Sequence, residues 1–307
     1  MRIAVPDLVS NSYFPAVAAA ELGFFAAEGL EAELQLIFPV TRTMEALRDG
    51  ALDFVAGAAH VTLAAFPEWK GAKLIAALAQ KTYWLLILRA DLGADRGDVQ
   101  AVKGLRIGAA PGPDAALRRL LIEAGIDLER DRVDIAPVPG ATGPGVSFGV
   151  QAARSLEEGT IDGFWANGMG SELAVRSGVG TVILDPRRGI GPPASQYYTF
   201  PALVTTESKI AQEPDSVAAA VRAIVKVQKA LQRDHSLATQ VGESLFPPTE
   251  AGLIAELIKR DLPYYDPTIS AEVVTSMNQF ARDIGILSGE VRYDQVVATQ
   301  FRNEWTD

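Results

Sequence analysis

One short pattern occurs twice in this chain and limits the folds it can adopt. The segment LRDGALD at residues 47–53 returns as LEEGTID at residues 156–162, with leucine, glycine and aspartate at matching places. In both copies a predicted helix ends at glycine, which readily takes the left-handed backbone of a helix end. Solenoid repeats recur every ~20–50 residues, and this repeat is far longer. The pattern therefore predicts two similar α/β lobes.

Short apolar strands alternate with amphipathic helices around this pattern, as expected for parallel α/β units. The predicted strands of the first lobe lie at residues 3–5, 31–38, 52–55 and 73–80, and the order begins again at residues 106–108. Two extended segments, 83–89 and 197–205, are predicted to carry the chain between lobes. Only helices follow, so we expect the C-terminal third to pack on lobe one. The predicted boundaries are 1–88 plus 200–307 for lobe one and 89–199 for lobe two.

Composition excludes several classes of function. The 307 residues include 28 basic and 38 acidic side chains, a net charge of −10, without a basic cluster that would favour nucleic acid or an anionic membrane. No apolar run approaches the ~20 residues that span a bilayer. The chain has no cysteine and only two histidines, so we expect no disulfide, metal site or cofactor.

Three blocks of sequence carry a family resemblance. Residues 12–25, residues 47–54 and the repeat at 159–162 resemble the periplasmic substrate-binding proteins of nitrate, sulfonate and taurine ABC importers, whose relatives include thiamine-pyrimidine binders. The resemblance spans roughly residues 2–285. It implies a two-lobed type II periplasmic-binding-protein fold with two hinge strands, a monomer that closes on a small-molecule ligand, and an ABC permease as partner. It also implies a periplasmic location, although the chain shows no export signal and a cytoplasmic location stays open.

The ligand site can be predicted from the fold class. In open α/β sheets, ligands bind beyond the carboxyl ends of the strands, where helix N-termini present free amides. The glycine-rich and aromatic loops at these ends favour a flat or partly apolar ligand: a carboxylate, a sulfonate or a pyrimidine-like heteroaromatic compound. The predicted ligand-binding residues are Ser10, Asn11, Ser12, Tyr13, Arg42, Gly57, Ala58, His60, Tyr83, Trp84, Pro111, Gly112, Asp114, Phe148, Trp165 and Asn167.

Several of these residues also have a purely structural interpretation. His60 could be a helix cap, Arg42 an ordinary solvated arginine and Trp165 a core residue. Tyr83 and Trp84 could serve interlobe packing, and Asp114 fits a helix-dipole cap better than a ligand contact. The pair at 187–188 reads first as a solvated loop, with an anion site as the alternative.

Two functions therefore remain open. One is a solute-binding protein, and the other is a cytoplasmic enzyme on the same fold that uses His60, either a lyase or decarboxylase with Arg42 as its cation or an enzyme of pyrimidine metabolism. The G-x-S-x-G sequence at residues 145–149 matches a hydrolase nucleophile elbow. That elbow needs a strand directly before the serine, and a Gly/Pro-rich loop stands there instead. We expect a binding protein without catalytic residues.

Overall fold

The chain forms two compact units. The computed structural model describes residues 1–141 and 146–306. The first unit comprises Met1–Gln80 and Thr199–Asp307, and the second comprises Lys81–Tyr198. Residues 81–88, which the sequence assigns to lobe one, lie in the second unit. The reason is that the strand Leu85–Arg89 pairs with two strands of that unit.

The strands are short and largely buried, and most are runs of aliphatic residues. They are β1 (Arg2–Val5), β2 (Glu33–Leu36), β3 (Phe54–Ala58), β4 (Ala72–Ala77), β5 (Leu85–Arg89), β6 (Arg106–Ala109), β7 (Asp134–Ala136), β8 (Gly163–Ala166), β9 (Gly180–Leu184) and β10 (Pro201–Thr206).

The helices are amphipathic in the longer cases, and proline opens several of them, as its fixed φ favours at a helix start. They are α1 (Phe14–Glu21), α2 (Phe24–Ala27), α3 (Val40–Arg48), α4 (Thr62–Ala65), α5 (Pro113–Glu123), α6 (Phe148–Glu157), α7 (Gly168–Arg176), α8 (Glu207–Gln212), α9 (Pro214–Arg233), α10 (Leu237–Leu245), α11 (Pro248–Asp261), α12 (Ala271–Asp283) and α13 (Tyr293–Val296).

The two sheets have the same topology. Their strand orders are β2-β1-β3-β10-β4 in the first unit and β7-β6-β8-β5-β9 in the second. In each, the first three strands pair in parallel, and the fourth is antiparallel to both neighbours. That antiparallel strand follows a crossing of the chain between units: β5 after the first crossing and β10 after the second. The duplicated two-lobed α/β fold with two crossing strands is confirmed.

The predicted strand at residues 52–55 continues further than the sequence indicates. Gly57 and Ala58 belong to β3 and not to the following helix, because both pair with β10, opposite Ala202 and Pro201. A 3₁₀ turn at Ala59–Val61 then leads into α4.

The C-terminal helices pack on the first unit, as expected. The buried face of α9 supplies Gln228, whose side-chain amide donates to the carbonyls of Ala77 and Leu78 at the end of β4, at 3.1 and 2.9 Å. Near the chain end, the Trp305 indole N–H donates to the Ile75 carbonyl at 2.8 Å. The last part of the chain therefore covers β4. Across residues 1–141 and 146–306, no helix combines the length and apolar character needed to cross a bilayer.

Candidate functional site

The loop after β1 contains four of the predicted ligand-binding residues, and all four are buried. The Asn11 side-chain amide donates to the Asp261 carboxylate, at the last residue of α11. The Tyr265 hydroxyl donates to the Asn11 carbonyl at 2.5 Å. The C-terminal segment therefore fixes this loop from residues about 250 positions away in sequence.

Two hydroxyls in the same loop are orphaned. The Oγ atoms of Ser10 and Ser12 are fully buried and have no hydrogen-bond partner among the described residues. A buried hydroxyl without a partner is costly, and such groups in native structures are normally satisfied by water or a ligand. The two hydroxyls thus mark the carboxyl end of β1 as a candidate binding site for a polar ligand.

His60 lies in the turn after β3 and is 1% exposed. Its Nδ1 is 2.9 Å from the Thr199 hydroxyl, and its ring meets Phe280 edge-to-face with the ring centroids 5.3 Å apart. Thr199 begins the return segment that continues into β10, and Phe280 belongs to α12. The imidazole is therefore held in orientation by two distant parts of the first unit.

The remaining predicted ligand-binding residues of the first unit are Arg42, Gly57 and Ala58, and their surroundings are those of structural residues. Arg42 is exposed on α3. A Cβ at Gly57 would come within 3.0 Å of the Met44 side chain and 3.1 Å of Val40, so this glycine lets α3 approach β3 closely. Ala58 is fully buried beside it. Nothing about Arg42 beyond its residue type favours an anion clamp.

Three aromatic residues form a row in the second unit. Tyr83 and Trp84 precede β5, and their ring centroids are 4.5 Å apart with planes tilted by 42°. Trp84 and Trp165, in β8, follow at 6.1 Å. All three are buried, and within residues 1–141 and 146–306 the indole Nε1 of Trp165 has no hydrogen-bond partner. We call Tyr83, Trp84 and Trp165 the aromatic row.

Arg187 joins this row, and the expectation of a solvated loop is wrong for it. Its side chain is 2% exposed, and its guanidinium carbon lies 5.7 Å from the centroid of the Tyr83 ring. The neighbouring Arg188 is half-buried and binds Asp185, Nη1 to Oδ2, at 3.0 Å. Sequence alone could not separate the two arginines, because which one faces the interior depends on the turn that follows β9.

The loop after β6 forms a small cavity of about 140 Å³, lined by Pro111, Gly112, Asp114, Arg118 and the ends of β6 and β7. Asp114 accepts the Gly112 N–H at 3.0 Å and the Arg118 Nε–H at 3.3 Å. Its carboxylate therefore already satisfies a loop amide and a cation, which is the capping role that the sequence favours.

Phe148 and Asn167 occupy the starts of α6 and α7. Asn167 caps α7 by accepting the Met169 N–H at 3.2 Å, and Phe148 is buried at the first position of α6. The two helices cross in contact at Gly149 and Gly170, where a Cβ on Gly170 would lie 2.1 Å from the Gly149 carbonyl oxygen. This close crossing brings the two helix N-termini together.

The G-x-S-x-G sequence does not have the backbone of a nucleophile elbow. Ser147 is the N-cap of α6 in ordinary extended geometry, φ −75° and ψ 124°, whereas an elbow serine sits on a strained strand-to-helix turn. Gly149 of the motif serves the helix crossing. Gly145, and residues 143–145 of the loop predicted to face the ligand, lie outside the described residues. Within the described residues, no group of three or more histidine, aspartate or glutamate side chains is arranged to hold a metal ion.

These features define a class. Two duplicated α/β units, each with an antiparallel strand next to a chain crossing and with buried polar groups at strand ends, constitute the two-lobed periplasmic-binding-protein architecture. The NMT1/THI5-like family model matches residues 10–234. The chain belongs to this family.

Solved structures agree on the fold. A protein of Bordetella bronchiseptica RB50 is 18% identical with a TM-score of 0.78, covering 100% of this chain and 98% of that one. A putative sulfonate ABC transporter component, the periplasmic sulfonate-binding protein SsuA of Methylobacillus flagellatus KT, is 16% identical with a TM-score of 0.66, covering 100% and 94%. The desulfurization enzyme DSZB is also similar, at 16% identity and a TM-score of 0.65, covering 99% and 98%. Among curated protein sequences, none matches the chain significantly.

Proposed function

We propose that this protein is a solute-binding protein that captures a small organic ligand and delivers it to an ABC importer. The observation that carries the proposal is a set of buried polar atoms at strand ends that have no partner in the part of the chain that the structure describes. They are the hydroxyls of Ser10 and Ser12 in one unit and the indole N–H of Trp165 in the other. Groups of this kind are satisfied when a ligand or water binds.

Two further observations support the proposal. The family is NMT1/THI5-like, and a periplasmic sulfonate-binding protein shares the fold over nearly the full length of both chains. The binding loop after β1 is held by side chains from α11 and the segment after it, which is a rigid arrangement suited to recognition. By the same reasoning we propose a periplasmic location, an ABC permease partner and a monomeric state, the last to be checked by light scattering.

The proposal is tested by ligand capture. Protein incubated with an extract of small metabolites is desalted and examined by native mass spectrometry for a bound mass. We expect one ligand per chain, released on denaturation and chemically unchanged. A protein that retains no small molecule from rich extracts, and that no metabolite protects against thermal unfolding, is not a solute-binding protein.

A lyase or decarboxylase is the second candidate, because an enzyme shares the fold and His60 is held in a fixed orientation. A cysteine nucleophile is excluded, since the chain has none. If His60 were a general acid or base, His60→Asn would leave binding largely intact and remove about 100-fold or more of turnover. If the protein only binds its ligand, His60→Asn should weaken ligand binding by no more than about 1.5 kcal/mol, and no product should form.

The matched control is His235→Asn, since His235 is the only other histidine and lies half-buried after α9. The captured ligand is incubated with wild type, His60→Asn or His235→Asn for many times the expected turnover time. It is then analysed by mass spectrometry. Product that forms with wild type and with His235→Asn but not with His60→Asn establishes the enzyme. Ligand recovered unchanged in all three samples supports the binding protein.

A further inference from the structure

We propose that the cavity after β6 is a binding site for a short-chain monocarboxylate, an aliphatic acid of about four carbons, and that Arg118 is its recognition group. The site lies within the second unit, and the inference goes beyond the proposed function because it does not require the captured ligand. Its basis is a guanidinium that two protein acceptors hold beside a cavity and that still has donors left for a ligand.

The cavity forms where the chain turns sharply from β6 into α5. Gly112 has a φ of +95°, a backbone that residues with a side chain rarely adopt, and Pro113 fixes φ at the first position of the helix. This turn and the end of β7 line a space of about 140 Å³. An apolar cavity of about 150 Å³ can hold benzene, so there is room here for about six non-hydrogen atoms.

Most of the cavity lining is apolar. Pro111 lies in the loop before α5, Pro137 follows β7, and Ala109, Ile135 and Ala136 are at the ends of β6 and β7. The side chains of these residues have no hydrogen-bonding group, so they offer only apolar contact. The body of the ligand is therefore expected to be small and aliphatic.

Arg118 is held beside the cavity from two sides. Its Nε–H donates to Asp114 Oδ2 at 3.3 Å, one turn earlier on α5, and its Nη2–H donates to the Ile135 carbonyl at 2.6 Å. β7 is an edge strand of its sheet, and an edge strand leaves backbone groups open to side-chain partners. The guanidinium is thus fixed in orientation, and the side chain is still 41% exposed.

The same guanidinium keeps donors for a ligand. Arginine has five N–H donors and no acceptor, and within residues 1–141 and 146–306 two of the five have protein acceptors. The complement of the remaining N–H groups is a ligand group that accepts hydrogen bonds. A carboxylate is the best acceptor, because charge-assisted hydrogen bonds are about twice as strong as those between neutral groups.

Asp114 limits the strength of this preference. Its two oxygens each accept one hydrogen bond, from the Gly112 N–H at 3.0 Å and from Arg118, and its negative charge partly balances the guanidinium. An anionic ligand therefore gains less than it would beside an isolated arginine, and we expect a Kd of about 1 mM. An amine would be repelled by Arg118 and would find both Asp114 oxygens already engaged.

The experiment uses butyrate as the probe, in calorimetric titrations of the full chain in a buffer free of other carboxylates. We expect saturable binding with a Kd of about 1 mM. Butyramide, which has the same shape without the charge, should bind about 5- to 20-fold more weakly. Acetate lacks the aliphatic body and adamantane-1-carboxylate is too wide for the cavity, so both should bind more weakly than butyrate. Butylammonium, with the opposite charge, should bind most weakly.

An NMR readout locates the bound probe. In ¹⁵N-labelled protein, the Nε–H signal of Arg118 is assigned by its loss in Arg118→Lys, and butyrate should shift it. The Nε–H signal of Arg222 is the internal reference, because this arginine belongs to the first unit and donates to Glu28 at 2.7 Å. That signal should not move.

Arg118→Gln should lower the butyrate affinity about 10-fold and leave the butyramide affinity nearly unchanged. Arg118→Lys should fall between wild type and Arg118→Gln, because it keeps the charge and loses the planar fork. Arg154→Gln is the matched control, since it removes a positive charge from an exposed position of α6 in the same unit, and it should not change the butyrate affinity. If Arg118→Gln does not fold, the ratio of butyrate to butyramide affinity and the Arg118 shift in wild type still test the proposal.

Four results overturn the proposal. They are no saturable butyrate binding, binding of any comparison compound at least as tight as butyrate, an unmoved Arg118 signal, and a butyrate affinity that Arg118→Gln lowers no more than Arg154→Gln does. In each case a ligand captured in the native mass spectra would leave the proposed binding function standing. Conversely, butyrate binding as expected without any captured ligand would refute the binding function and leave this site in place.

Discussion

The carboxylate of Asp162 accepts both the backbone N–H and the Nε–H of Arg106 through one oxygen, at 3.0 and 2.9 Å. Arg106 also donates to the Gly159 carbonyl at 3.1 Å. The first unit has the same arrangement: Asp53 accepts the Arg2 N–H at 2.6 Å, and Arg2 donates to the Gly50 carbonyl at 3.0 Å. Each aspartate thus joins the residue before one strand to the first residue of its parallel neighbour.

This arrangement predicts an acid-sensitive contribution to stability. The Arg106 hydrogen bond, against the opposing effect of burial, lowers the pKa of Asp162 below its usual value. Because the folded pKa lies below the unfolded one, the contribution is complete above the unfolded pKa of about 4 and is lost as the pH falls through the folded pKa.

Asp162→Asn should therefore lower the free energy of unfolding by about 1 kcal/mol or more at pH 7 and by progressively less toward pH 3. Urea denaturation followed by circular dichroism at both pH values measures the change. Asp49→Asn is the control, because that exposed carboxylate pairs with the exposed Arg48 next to it. An Asp162→Asn penalty that is equal at pH 7 and pH 3 would contradict the ionic origin.

The duplicated motif explains why the fold could be predicted from sequence. Its contacts join a helix end, the following aspartate and the strand start, and each copy uses the same residue types. The glycines at 50 and 159 and the aspartates at 53 and 162 recur at equal spacing. This repeat predicts two sheets of the same topology, which the structure has. Strand ends could then be assigned to ligand contact by a rule about parallel sheets.

The contacts around the candidate site that sequence could not predict join residues distant in the chain or depend on tertiary structure. Asn11 and Asp261 are 250 residues apart, and neither residue type signals the pairing. Arg187 lies next to another arginine in a turn, and only the tertiary structure shows that one is buried against Tyr83 and the other binds Asp185. Arg42, the cation predicted at a strand end, is exposed near the start of α3, and its contact with a ligand stays a prediction.

The crossing of α6 and α7 predicts a strict requirement for glycine at position 170. A Cβ there would lie 2.1 Å from the Gly149 carbonyl oxygen, a backbone atom that cannot rotate away. Gly170→Ala should lower the free energy of unfolding by about 2 kcal/mol or more. Gly252→Ala in α11 is the control: its Cβ meets no heavy atom within 4 Å, so it should stabilise by about 0.5–1 kcal/mol. Equal effects of both substitutions on the melting temperature would refute the close crossing.

Asp261 and Tyr265 are predicted to act on ligand affinity through the loop after β1. Asp261→Asn weakens the hydrogen bond to the Asn11 side chain, and Tyr265→Phe removes the one to its carbonyl. Each should weaken binding of the captured ligand about 5- to 10-fold, the equivalent of about one hydrogen bond, and raise amide hydrogen exchange in residues 9–13.

Tyr293→Phe is the matched control for the Tyr265 variant. Tyr293 also donates its hydroxyl to a backbone carbonyl of the first unit, that of Ile269 at 2.5 Å, so its loss has a similar cost in stability. It should leave ligand affinity unchanged. If Tyr293→Phe weakens ligand binding as much as Tyr265→Phe does, the loss of affinity comes from lower global stability and not from a displaced loop.

The orphaned hydroxyls of Ser10 and Ser12 predict opposite effects on stability and binding. Each is fully buried and lacks a hydrogen-bond partner in the described residues, so removing it relieves a desolvation penalty in the free protein. Ser10→Ala and Ser12→Ala should therefore keep or raise the melting temperature of the free protein. The captured ligand should bind each variant about 5- to 10-fold more weakly, because a hydrogen bond to it is lost.

Thr43→Ala is the contrasting case, since the Thr43 hydroxyl donates to the Ile37 carbonyl at 2.7 Å and its loss should lower stability without changing affinity. Serine variants that are destabilised while their ligand affinity is unchanged would show that the two hydroxyls serve the folded core and not the ligand.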